Sequence, residues 1–246
     1  MAEPNGADAS VADLRDPFGR ITNALLDSFA GTENSIDLMA DFAMPYAVHC
    51  ACELIGVPER DRADVTEWLD LMILAADGRT DRGACRELTG KLAGLLTERR
   101  VYPAPDLLTV LSGRLTEDGE DEVVRGVVLL MALSVETTFS FIGTLFHSLL
   151  TNRAQLSRLV QDESLIPGAI DELLRFDGAH NISSGNRYAR QQAETALRIV
   201  LRRYPGLRLN THPSNIEWLT SPFLRSIKQL PVRLAPSNAD CDERNH

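Results

Sequence analysis

Hydrophobic side chains recur every three to four positions along most of this chain, the spacing that lays them on one face of a helix. Phe18, Ile21, Leu25, Leu26 and Phe29 set out the first such stripe, with Pro17 suited to open it and Gly31 to end it. Residues 37–57 are strongly apolar, and Pro45 divides a short lead-in from a helix proper. Pro58 opens a further helix that reaches about residue 76, and an amphipathic helix covers about 82–99. Pro103 and Pro105 break it, and 106–111 form a short helix. The longest and most apolar helix is predicted over 121–151; a segment apolar on every face belongs in the centre of the molecule. The acidic run 117–122 before it suits a helix N-terminus, where the dipole favours negative charge. Helices over 153–161, 167–175 and 186–203 follow, with 178–185 as a loop. The character then changes: 207–209, 216–219 and 230–234 are short strand-like pieces among prolines. The expectation is a mainly α fold with a small C-terminal β element. One domain spans 12–235, between a loose polar leader (1–11) and a disordered tail (236–246).

Composition narrows the picture. Of 246 residues, 44% are hydrophobic and only 6% aromatic, so the core is expected to be mostly Leu, Val, Ile and Ala. The net charge is −10, which argues against nucleic acid or an anionic membrane as a partner. The start lacks the charged and apolar regions of a signal peptide, and the longest apolar run, 127–135, is too short to span a bilayer. A cytoplasmic protein is expected. The four cysteines, Cys50, Cys52, Cys85 and Cys241, form neither a CxxC pair nor a secreted disulfide framework. His49, Cys50 and Cys52 suggest a metal site at first sight. They do not share one helical face, and no second ligand cluster exists, so buried small side chains are the better reading and no metal is expected.

Several segments, in order, resemble bacterial cytochrome P450s. They are Asp37-Leu38-Met39-Ala40-Asp41-Phe42-Ala43 with Cys52-Glu53-Leu54-Ile55-Gly56-Val57-Pro58, and Glu136-Thr137-Thr138 within an apolar helix. Then come Glu172-Leu173-Leu174-Arg175, which matches the family's ExxR, and Gly185-Asn186-Arg187-Tyr188-Ala189-Arg190 before a helix. Ser221-Pro222-Phe223-Leu224-Arg225 and Leu230-Pro231-Val232 are similar to the C-terminal strands. ExxR alone is a weak motif, but the ordered set covers most of residues 20–235. The resemblance implies a shortened P450-like helical fold.

The departures from the family pattern bear on function. Where the resemblance puts the heme-ligating cysteine, two residues before Gly185, this chain has Ser183. A serine hydroxyl cannot supply the thiolate that heme iron needs in these enzymes. Ser183 and Ser184 are instead suited to cap the helix that follows, and His180 is an alternative heme ligand with little to favour it. Leu133 and Ser134 stand where the family has small residues that leave room for heme and dioxygen. Glu136 and Thr137 are therefore read as inherited structure rather than a proton relay. The usual N-terminal part and the meander after Arg175 are missing, which leaves Glu172 and Arg175 as a local i, i+3 pair. No catalytic residue, cofactor or heme-thiolate monooxygenase activity is expected.

A heme-free branch of the family activates deoxysugar glycosyltransferases in macrolide and anthracycline pathways. The resemblance implies that role here, with the transferase as protein partner and the apolar helices at 37–76 as the contact. The alternative is a vestigial oxygenase without activity. A heme-free enzymatic activity such as sugar isomerisation lacks paired carboxylates, a nucleophile–base pair or a phosphate loop.

Overall fold

The computed structural model describes residues 14–29, 35–73, 81–113, 119–176, 187–220 and 225–235. The expected leader, tail and loop at 178–185, with His180, Ser183, Ser184 and Gly185, lie outside the described residues. Helix α1 (Arg15–Asp27) begins two residues ahead of Pro17. The proline sits in the first turn, where a missing N–H costs nothing. Phe18, Ile21 and Leu26 form its buried face. Residues Leu38–Ala43 form a π-helical stretch that leads into α2 (Met44–Ile55), with Pro45 in the first turn of α2. The Asp37 carboxylate accepts from Met39 N–H at 3.0 Å and from Leu230 N–H at 2.9 Å, so one side chain caps the π turn and ties it to the C-terminal segment.

Gly56 ends α2 at φ 103°, and a Cβ there would lie 2.2 Å from Asp106 Oδ2. Both the left-handed backbone and the close approach require glycine. The close approach serves an ion pair. Arg99 Nε donates to Asp106 Oδ2 at 2.6 Å, and Arg99 Nη2 donates to the Gly56 carbonyl at 2.9 Å. This knot joins α2 to α4 (Arg82–Val101) and to α5 (Leu107–Ser112). The Asp81 and Asp106 side chains cap α4 and α5 by accepting from Ala84 N–H and Thr109 N–H, both at 2.8 Å. Between α2 and α4 in sequence, α3 (Arg62–Ile73) follows a single 3-10 turn at Glu59–Asp61.

Helix α6 (Glu120–Thr151) is the longest, and α2, α3, α4 and the strand β4 (Arg225–Ile227) pack on it. Helices α7 (Arg153–Gln161), α8 (Ile166–Phe176) and α9 (Arg187–Arg203) follow, and α9 packs along α1. From Phe139 to Phe146 every residue of α6 is buried. Gly143 belongs to this stretch; a Cβ there would lie 2.7 Å from the Met39 thioether. The N-terminal half departs from the expectation of complete burial: Leu129, Leu130 and Leu133 are 61%, 44% and 48% exposed. The helix is apolar on a face that no described element covers.

The mainly α expectation holds, and the β element is small. It is not wholly C-terminal. β1 (Ser35–Asp37) pairs antiparallel with β5 (Pro231–Arg233), and β5 also pairs with β2 (Arg208–Leu209). Ile36 and Leu209 both lie in register with Val232. β3 (Trp218–Thr220) and β4 form a separate two-stranded ribbon. β1 is too short to show an alternating pattern in sequence. Two helical stretches, Leu38–Ile55 and Glu120–Thr151, are long and apolar enough to cross a membrane by length and composition. Their most apolar windows are 67% and 56% buried inside the protein, as core helices are.

Candidate functional site

Leu129, Leu133 and Thr137 lie at four-residue steps, with Leu130 and Glu136 each three residues from Leu133, so the five share one strip of α6. Leu133 faces solvent. The Thr137 hydroxyl is committed to its own helix, within hydrogen-bond reach of the carbonyls of Leu133 at 2.8 Å and Ser134 at 3.0 Å. One turn-face away, the Thr138 hydroxyl donates to Gln192 Oε1 at 3.1 Å and so links α6 to α9.

Gln192 anchors a polar junction that the sequence did not announce. Tyr46 is fully buried and donates its hydroxyl to the Gln192 carbonyl at 2.8 Å. Burial pushes its phenol well above the usual range, with the neighbouring Cys50 adding to the effect. The Cys50 thiol lies beside Tyr46 and Gln192. Thus α2, α6 and α9 meet at one tyrosine, one thiol and one glutamine. Next to it Gln191 is 3% exposed, and neither of its amide atoms has a hydrogen-bond partner among the described residues. The available signals were faint: one tyrosine in an apolar stretch, and a Gln-Gln pair in the last long helix.

Glu172 and Arg175 form the expected i, i+3 ion pair on α8, but their side chains are 65% and 73% exposed. A pair so open to water contributes little to stability. Its neighbour Asp171 holds Arg190, and Glu163 holds Arg198 at 3.0 Å and Arg202 at 2.5 Å, so ion pairs bind α9 to the α7–α8 side. The Arg202 hydrogen bond holds the Glu163 carboxyl below its ordinary range. The structure brings Glu136 and Thr137 together on α6, and Glu172 and Arg175 together on α8.

His49, Cys50 and Cys52 are not arranged as ligands. Among the described residues no group of three or more His, Cys, Asp or Glu is placed to hold a metal. Burial, then the charge of Arg62, pushes the His49 imidazole below its ordinary value. Burial raises the Cys50 thiol and lifts Cys52 to about 12, so both are neutral thiols in the core.

No family model matches the chain. Its sequence is 29% identical to cytochrome P450 107B1 of Saccharopolyspora erythraea, over 91% of this chain and 71% of that protein. It is 27% identical to the cytochrome P450 monooxygenase PikC of Streptomyces venezuelae, over 89% and 69%. The structure superposes on the polyketide synthase cytochrome P450 PksS of Bacillus subtilis 168 with a TM-score of 0.74 at 25% identity, covering 90% of this chain and 74% of that one. Homologues and structural neighbours both support the cytochrome P450 superfamily. The aligned span with cytochrome P450 107B1 is 289 residues, longer than the 246 of this chain, so that relative carries additional residues inside the span.

The relatives correct one expectation. The chain was expected to lie outside the enzymes, yet proteins named monooxygenase and hydroxylase are among its homologues, and these point to enzyme activity. The superfamily implies heme held by a cysteine thiolate. Cys50 and Cys52 are protonated and enclosed in α2, and Cys85 stands in the first turn of α4. Ser183 and Cys241 lie outside the described residues.

Proposed function

We propose that this P450-superfamily chain serves antibiotic biosynthesis of the polyketide type as the auxiliary subunit of a deoxysugar glycosyltransferase, which it binds and activates in the cytoplasm. The open leucine strip of α6 carries this reading. Three large apolar side chains on one helical face are the kind of surface that a partner covers. A stable interface needs roughly 800 Å² from each side, with such a cluster at its centre. The contact moves from the helices at 37–76, where most apolar side chains of the described residues 37–73 are buried, to the N-terminal half of α6. A subunit that binds only the folded transferase stabilises it by mass action. The biosynthetic context is drawn from the relative named for polyketide biosynthesis, the cytochrome P450 PksS.

The test is co-expression with the transferase of the same gene cluster, followed by size-exclusion chromatography and a sugar-transfer assay. The transferase should be weak or insoluble alone and active with this chain. Leu129→Asp combined with Leu133→Asp should abolish the complex, whereas Glu136→Ala and Thr137→Ala should leave activation nearly intact. Loss of transfer in Glu136→Ala or Thr137→Ala with the complex preserved would replace the binding role with a catalytic one. The names of the relatives favour a second reading, oxygenation of a polyketide-type substrate. That reading predicts a thiolate-ligated heme in the purified chain, seen as a Soret band and, after reduction under carbon monoxide, a thiolate–carbonyl band.

A further inference from the structure

A groove of about 380 Å³ opens between α3, the π-helical stretch with the start of α2, α6 and the residue after β4. Its volume lies at the lower end of the range for small-molecule sites. The floor is apolar: Met39, Met44 and Phe139 are 1%, 3% and 2% exposed. Thioether side chains are polarisable and adapt to the shape of what they touch. The rim is acidic. Glu67 and Asp70 lie three residues apart on α3, one turn of the same face.

The other polar groups at this groove are already engaged. The Thr66 hydroxyl donates to the Arg62 carbonyl at 2.7 Å, and Lys228 Nζ donates to Glu217 Oε2 at 2.9 Å. Glu67 and Asp70 have no hydrogen bond or ion pair among the described residues. Partial burial without a partner raises the Asp70 carboxyl above its ordinary value, a cost that a cation in the groove would relieve. Two unpaired carboxylates beside a buried apolar floor match a ligand with an apolar body and one positive end. We propose that this groove binds a small hydrophobic amine, its body on Met39, Met44 and Phe139 and its ammonium between Glu67 and Asp70.

The test is a titration of the full chain, carrying 13C-labelled methionine methyls, with octylammonium, octanol and octanoate. The Met39 and Met44 methyls should shift with octylammonium, while those of Met72 and Met131 stay still. Octylammonium should bind about fivefold more tightly than octanol, the scale of one partly desolvated ion pair. Octanoate should bind more weakly than octanol. Asp70→Asn should remove most of the preference for octylammonium over octanol, and Glu67→Gln a smaller part. Both are near-isosteric changes at exposed positions, and far-ultraviolet circular dichroism will verify that the fold is unchanged. Equal affinity for octylammonium and octanol, a preference that survives in Asp70→Asn, or no shift of Met39 and Met44 with any probe would overturn the proposal.

Discussion

Both halves of α6 are rich in apolar side chains, but their surroundings differ. From Phe139 to Phe146 the helix is enclosed by α2, β4 and the π-helical stretch, and even Ser140 and Gly143 are buried. From Leu129 to Leu133 it shows three leucines to solvent. Hydrophobic sequence therefore marks what a helix can bury, and its neighbours decide what it does bury. In the C-terminal half the neighbour is part of the fold; on the open face of the N-terminal half we assign it to another protein.

Truncation separates the halves most sharply. Phe146→Ala, at a fully buried site, should lower the unfolding free energy by about 3–5 kcal/mol in urea titration. Leu133→Ala should change it by less than about 0.5 kcal/mol. A cost above about 2 kcal/mol at Leu133 would mean that the strip is covered within the chain itself.

The support beneath the buried half can be cut at one point. Arg99 and Asp106 side chains are 12% and 7% exposed and hold α2, α4 and α5 together. Arg99→Ala should cost about 3 kcal/mol, because it leaves Asp106 buried beside Gly56 without its partner. Denaturation of Arg99→Ala alongside Arg100→Ala, whose pair is more exposed, measures this.

Glycines give a finer contrast. Gly126→Ala meets nothing within 4 Å and should stabilise by about 0.5–1 kcal/mol through helix propensity. Gly143→Ala would press on Met39 at 2.7 Å and should destabilise by about 1 kcal/mol despite the same propensity gain. Matching signs in thermal melts would erase the distinction between the halves.

The smallest effect concerns the thiols of α2 on the enclosed side. Cys52 is lifted to about 12 in the folded protein. The unfolded thiol ionises near about 8.5, so its contribution to stability is fully present below that pH and is lost progressively as pH climbs toward the folded value. Cys50 acts in the same direction. The urea midpoint should fall between neutral pH and about pH 10, and Cys52→Ala should reduce that fall.

Most helices were legible because their apolar spacing is long and regular; α7 was predicted to the residue, and α4 and α9 to within two. Strand β1 was not, because three residues carry no period, and its pairing with β5 spans nearly the whole chain. The exposure of Leu129, Leu130 and Leu133 was also invisible, since a leucine reads the same whether or not a neighbour covers it. The candidate site was legible only as positions matched by resemblance. Glu172 and Arg175 pair as expected, whereas Tyr46, Cys50 and Gln192 meet through tertiary packing that no local motif encodes.

The most direct test of the account is size-exclusion chromatography of the chain co-expressed with the transferase, wild type beside the double variant Leu129→Asp, Leu133→Asp. The account predicts one co-eluting complex that the double variant abolishes. No complex with the wild-type chain, or a complex that survives the double variant, would contradict it.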